Sequence, residues 1–227
     1  MVQETVNPAA TVAWSGKGGR ARLLAEAVQL LSREGVHGMS IGKLAERTGY
    51  SKGGIMAHFG SKQELVLALL AEAAERTRTF LSGRLEGLPT ATDRLTRVLA
   101  AYGSYWTEGI FEGGCPFLNL AVHAVDPQDE IAAAVREAAR GLVVDLADIV
   151  RAGQAAGEFD PGADPEEIGE RVLSLCIGAG WTYRMTADAT IFARLEPTLE
   201  RIVQNISAPS SVEAGDSRTN RWDRTHA

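Results

Sequence analysis

From position 19 to position 206 the apolar residues recur every three or four places, and no stretch alternates in the two-residue rhythm of a strand. That spacing matches the 3.6-residue turn of a helix, which places such residues on one face. An all-α chain is therefore expected. Helices are predicted over 19–34, 40–48, 62–86, 93–106, 116–125, 128–155, 165–184 and 191–206, with one more between Ser51 and Gly60. Gly35 is expected to stop the first of them. Ser40 and Ser61 are placed to cap the second and fourth, since a serine oxygen accepts a free N–H at a helix start. Pro127 and Pro165 stand at or just before predicted starts, where a missing N–H costs nothing.

With 227 residues, 45 % of them hydrophobic, there is enough apolar material for one or two domains. Gly87 and Pro89 suggest a hinge after the long fourth helix. The division expected is a flexible arm over 1–16, a small helical domain over 17–64, a larger one over 65–206 and a disordered tail over 207–227. Cys115 and Cys176 are too isolated to form a disulfide framework, which suits a reducing cytoplasm. "MVQETVNPAATVAWSG" lacks the basic and apolar regions of a signal peptide, and the most apolar window, 65–71, is too short to span a bilayer. A cytoplasmic protein without a membrane partner is expected.

Net charge is −6, but its distribution is uneven: residues 1–62 carry +4 and the remainder −10. All four lysines, Lys17, Lys43, Lys52 and Lys62, fall in the first part. Such segregation points to a polyanion as partner of the basic segment. Within it, "SIGKLAERTGYSKGGIMAHFGSKQEL" places two short helices around a turn at Gly49 and Tyr50. Ile41, Leu44 and Ala45 face inward on the first, Ile55 and Phe59 on the second. Braced by the preceding amphipathic helix, this is a helix-turn-helix. Its second helix would present Lys52, Gly53 and Gly54 outward at its N-terminal end. Small residues there let the backbone approach the major groove of DNA, and free N–H groups at a helix start favour phosphates.

Residues 23–65 closely resemble the DNA-binding domain of the TetR/AcrR family of bacterial regulators. The resemblance rests on Gly35, Ile41-x-x-Leu44-Ala45, Gly49-x-Ser51-Lys52-Gly53, His58-Phe59 and Ser61-Lys62-x-x-Leu65. It implies a homodimer on a palindromic operator in double-stranded DNA, released by a small-molecule effector bound in the C-terminal domain, most often as a repressor. By the same resemblance Ser40 and Lys62 touch phosphates, with Lys43 on the same basic surface. Ser51, Lys52, Gly53 and Gly54 lie in the groove, and His58 reaches the DNA backbone. Met56 departs from the pattern, since the family usually has an aromatic there, and it offers only apolar contact.

The C-terminal part resembles the family in length and helical character. Effector-pocket candidates are Tyr102, Trp106, Phe111, Phe117, Cys176, Trp181, Tyr183 and Met185. Dimer-interface candidates on the last two helices are Leu173, Ile177, Gly180, Leu195, Leu199 and Ile202, with small residues permitting close approach. Each of these also suits the core of a single subunit. Cys115 reads as a small core residue or as a reactive thiol at a helix start. Paired with His123 it would make a nucleophile and base, but eight positions along a helix separate them by about 12 Å. No metal-ligand spacing or cofactor motif is present: the histidines lack His-x-x-x-His, and "GKGG" over 16–19 lacks the ending of a phosphate loop. A non-enzymatic regulator is the reading; the alternative is a helical ligand carrier or enzyme that retains a helix-turn-helix.

Overall fold

The structure, a computed structural model, describes residues 17–122 and 129–208. Among these residues the chain forms nine helices. They are α1 Lys17–Gly38, α2 Ile41–Thr48, α3 Lys52–Phe59, α4 Lys62–Leu85, α5 Ala91–Thr107, α6 Pro116–Ala121, α7 Glu130–Ala155, α8 Pro165–Thr186 and α9 Thr190–Ile206. The fold is all-α, as the periodicity predicts. The arm over 1–16, His123, Pro127 and the tail beyond 208 lie outside the described residues.

The predicted boundaries hold where local chemistry sets them. Ser40, Ser51 and Ser61 cap α2, α3 and α4, their side chains accepting from the N–H groups of Lys43, Gly54 and Glu64. Asp164 caps α8, with Pro165 at its first position. Gly49 closes α2 at φ 74°, a left-handed conformation that costs glycine little. At Gly35 the backbone does leave helical geometry, with φ 64° and ψ −176°. One further turn then carries α1 on to Gly38, because Met39 N–H donates to the Gly35 carbonyl at 3.1 Å. Ser207 and Ala208, placed in the expected tail, are tied to the bundle: Ser207 bridges Phe159, and Ala208 N–H donates to the Glu158 carbonyl at 2.9 Å.

Helices α1 to α3 enclose Leu23, Ala27, Leu31, Leu44 and Ile55 against Leu65 and Leu69 of α4, all fully buried. Behind them α5, α7, α8 and α9 pack around Leu95, Leu99, Val150, Val172 and Leu199. Both sets belong to one continuous hydrophobic cluster. The expected boundary at 64/65 falls within the first turn of α4, whose 24 residues run unbroken from the helix-turn-helix into the larger bundle.

Candidate nucleic-acid interface and ligand cavity

The surface of the helix-turn-helix is built from two helix starts brought together by the Gly49 turn. A Cβ added at Gly42 in α2 would sit 3.7 Å from the Ser40 hydroxyl and 3.7 Å from the ammonium of Lys52 in α3. One patch therefore gathers a capping hydroxyl, a cation and the free N–H groups of two helices, which together suit an anion. Ser51, Lys52, Gly53, His58 and Lys62 are exposed, while Gly54 and Met56 are half-buried. His58 stands edge-on to Tyr50, ring centroids 6.3 Å apart, and so is held against the turn.

The two glycines of α3 differ. Around Gly53 nothing lies within 4 Å of an added Cβ, so its outward face is open. At Gly54 a Cβ would come to 3.1 Å from Ser51 Oγ, the atom that accepts Gly54's own N–H. Gly53 is thus the position whose smallness serves approach from outside, and Gly54 partly serves the cap. Lys43 is exposed but paired, its Nζ 2.5 Å from Glu34 Oε2. An exposed pair of this kind is worth about 1 kcal/mol or less, so a phosphate can take the lysine over.

Behind this surface a second set of contacts, absent from the sequence reading, ties α1 to the loop before α6. Glu112 binds Arg33 at 3.1 Å and Arg47 at 3.0 Å, and Arg47 also binds Glu26 at 3.1 Å. Gln29 donates to the Ile110 carbonyl and accepts from Glu112 N–H, at 2.9 and 2.8 Å. Gly113 N–H donates to Ser32 Oγ, and Asn119 Nδ2 donates to the Ser32 carbonyl at 2.6 Å. Arg184 of α8 donates to the Gly113 carbonyl. Apart from Arg47 and Glu26, 21 residues apart, the partners stand 65 or more residues apart along the chain, which is why no local pattern announces them.

The larger bundle holds a half-open cavity of about 680 Å³ between α4, α5 and α7. Its apolar wall includes Leu81, Leu85, Val98, Leu142, Leu146 and Ile149. Of the residues expected to line a pocket, Tyr102 lines this cavity. Trp106, Phe111 and Tyr183 instead join Tyr105 and Phe192 in a chain of edge-on and tilted rings, since α5, α8 and α9 meet there. Cys176 is fully buried, Phe117 packs against the core, and Trp181 and Met185 are 39 % and 67 % exposed.

The expected interface residues also pack within this single chain. Leu173, Gly180, Leu199 and Ile202 are buried within the subunit, and Ile177 and Leu195 pack against its core. A Cβ at Gly180 would overlap the indole of Trp106, so that glycine serves an internal contact. The outer strip of α8 is instead Ser174, Gly178, Trp181 and Met185, which are all exposed. Cys115 is half-buried, and burial pushes its thiol up against the lowering effect of the Tyr105 hydroxyl and the Leu118 and Phe117 N–H groups. It remains a neutral thiol near pH 7, in line with a core residue.

A capped, open recognition helix on a helix-turn-helix, joined to a cavity-bearing helical bundle, defines a one-component DNA-binding regulator. Residues 23–69 match the model of bacterial regulatory proteins of the tetR family, and residues 91–199 match the tetracyclin repressor-like C-terminal domain, together more than half of the chain. This chain belongs to the TetR family. It is 33 % identical over 87 residues to the HTH-type transcriptional activator FasR of Mycolicibacterium smegmatis, 38 % of either chain. To the HTH-type transcriptional regulator TtgR of Pseudomonas putida it is 28 % identical over 149 residues, 62 % of this chain and 70 % of that one. The crystal structure of a TetR transcriptional regulator from Chloroflexus aurantiacus superposes with a TM-score of 0.76 at 28 % identity, over 84 % of this chain and 96 % of that one. Among the described residues no helix is long and apolar enough to cross a membrane.

Proposed function

We propose that the protein is a cytoplasmic repressor that binds a palindromic operator as a homodimer and leaves it when a small molecule occupies the cavity between α4, α5 and α7. It performs no catalysis in this reading. The observation that carries the proposal is the continuity of α4. One end of that helix, Lys62, stands beside the recognition helix, and its other end, from Arg78 to Leu85, forms a wall of the cavity. A 24-residue helix is about 36 Å long and stiff, so a ligand that shifts the cavity wall also shifts the DNA-facing end. Ser51, Lys52 and Gly53 read the groove, while Ser40, His58 and Lys62 position the protein on phosphates.

The second copy docks on the outer face of α8. Trp181 and Met185, one turn apart beside the bare Gly178, leave apolar surface in water that a two-fold copy would cover. The test is selection of bound sequences from random double-stranded DNA. Recovery of a palindrome, bound by a dimer and silencing a promoter that contains it in purified transcription, is the expected result. A recovered site that is not palindromic, or a promoter stimulated by the protein, would count against the operator or the repressor assignment respectively.

A further inference from the structure

The cations of the basic segment fall into two groups. Arg33 and Arg47 are neutralised by Glu112 and Glu26, and Lys43 by Glu34. Arg20, Lys52 and Lys62 are exposed and have no carboxylate partner among the described residues. Lys52 opens α3, and Lys62 opens α4 just past the far end of α3. Arg20 belongs to α1, yet its guanidinium carbon lies over the ring of Phe59, the last residue of α3, 5.1 Å from the centroid. Unneutralised charge from separate helices is thus gathered around the recognition helix.

An exposed arginine without a partner normally samples many rotamers, and binding through it then costs entropy. Here the ring holds the guanidinium by cation–π attraction. Phe59 itself is buried in the core, so the support is fixed. Arg20 donates no side-chain hydrogen bond to the described residues, so its fork of N–H groups is held in place and unspent. A planar guanidinium in that condition suits the oxygens of a phosphate, which it meets with two parallel N–H groups. One acid stands at this end of α3. Glu64, in the first turn of α4, lies with its carboxylate against Gly60, where a helix start attracts it, and it pairs with neither Arg20 nor Lys62. The eight residues of α3 span about 12 Å, close to the width of the major groove. A helix of that length entering the groove at Lys52 brings Phe59 to the phosphates that wall it.

We infer that Arg20 is a phosphate-positioning residue of the DNA interface, with the Phe59 ring as its support. It joins His58 and Lys62 at the C-terminal end of α3, while Ser40 and Lys52 meet the DNA at the other end. Arg20 reads no base, and its role is independent of what occupies the cavity. The test is titration of the full-length protein with a labelled duplex of random sequence between about 50 and 200 mM salt, beside thermal melts of the same preparations. Arg20→Gln should weaken binding roughly threefold to tenfold, and lower the slope of log affinity against log salt by about 0.9 for each subunit on the duplex. Arg20→Met, which keeps an apolar stem against Phe59, should lose the same slope even if the glutamine variant loosens α1. Arg20→Lys keeps the charge and should keep the slope. Arg97→Gln removes an equal charge from an exposed position on α5 and should bind with the wild-type slope. A wild-type slope in the folded neutral variants at Arg20 would make this arginine a staple between α1 and α3 only, and overturns the assignment. An equal fall in Arg97→Gln overturns it as well, since bulk charge would then account for the effect.

Discussion

At the scale of single residues the proposed DNA-facing surface is expected to divide into groups that position and groups that read. Lys62 is exposed at the start of α4. A phosphate contact carries no sequence information, so Lys62→Ala should weaken cognate and scrambled duplexes about equally. The slope of log affinity against log salt should fall by about 0.9, one counterion's worth. Gly53 gives a sharper test because stability and binding should move in opposite directions. Its surroundings are empty, and valine is a better helix former than glycine, so Gly53→Val should leave the fold intact or raise its melting temperature. The same branched side chain should hold the backbone off the bases and cost at least about tenfold in cognate affinity. Thermal melts and DNA titrations on one preparation check both halves. Gly54 is the poorer probe, since a side chain there disturbs the Ser51 cap as well.

At the scale of elements, α8 and α5 each carry a discriminating substitution. Met185 is 67 % exposed and Leu199 is fully buried. Met185→Glu should therefore yield a folded monomer by sedimentation, with operator binding weakened through loss of the paired half-site contact. Leu199→Asp should instead unfold the chain, by about 3 kcal/mol or more, because it leaves both a cavity and a buried charge. The start of α5 is capped locally by Thr90, whose hydroxyl accepts from Asp93 N–H, and a second time from far along the chain. Glu158 accepts from the N–H groups of Ala91 and Thr92, at 3.1 and 2.9 Å, and from the Thr92 hydroxyl. The Thr92 N–H first of all, and then that of Ala91, hold its carboxyl below the usual range despite partial burial. A lowered folded-state pKa stabilises the protein above the ordinary carboxylate value, about pH 4.3, and that stabilisation is lost as pH falls through the folded value. Glu158→Gln should thus cost about 1 kcal/mol at pH 7 and shrink toward zero in strong acid. Denaturant midpoints at pH 7, 4 and 3 measure the difference.

For the whole molecule the decisive feature is the clasp between α1 and the loop around Gly113. Its ion pairs are half-exposed and share Glu112, so each adds less than about 1 kcal/mol. The partly buried hydrogen bonds of Gln29, Ser32 and Asn119 contribute about 1 kcal/mol apiece. Coupling between two sites is typically about 1–3 kcal/mol, so contacts of this strength would carry it if they are made in one state and broken in the other. Gly113→Val should break it, because an added Cβ would overlap the Ser32 carbonyl and approach Arg33 Cα to 2.5 Å, both backbone atoms. The variant is expected to lose about 2–3 kcal/mol of stability. Its operator affinity should also respond at least about fivefold less to ligand than that of the wild type. A folded Gly113→Val protein with an unchanged ligand response would show that α4 alone carries the coupling.

Caps, turns and amphipathic faces follow from residues close together in sequence, and these were legible. Ser40, Ser61 and Gly49 act within about four positions of themselves, so these helix ends could be read from the sequence. Burial of Leu199 or Trp106, by contrast, depends on which neighbouring helix arrives. An apolar residue on a helix fits a core, a cavity wall or a subunit contact equally well by periodicity alone. Only the meeting of α5, α8 and α9 joins Trp106, Tyr183 and Phe192 in one aromatic cluster, and only the gap among α4, α5 and α7 made a cavity of Leu81, Val98 and Ile149. The clasp was hidden for the same reason: Glu112 and Arg47 lie 65 residues apart, and their charges become partners only once the tertiary structure brings them within 3.0 Å.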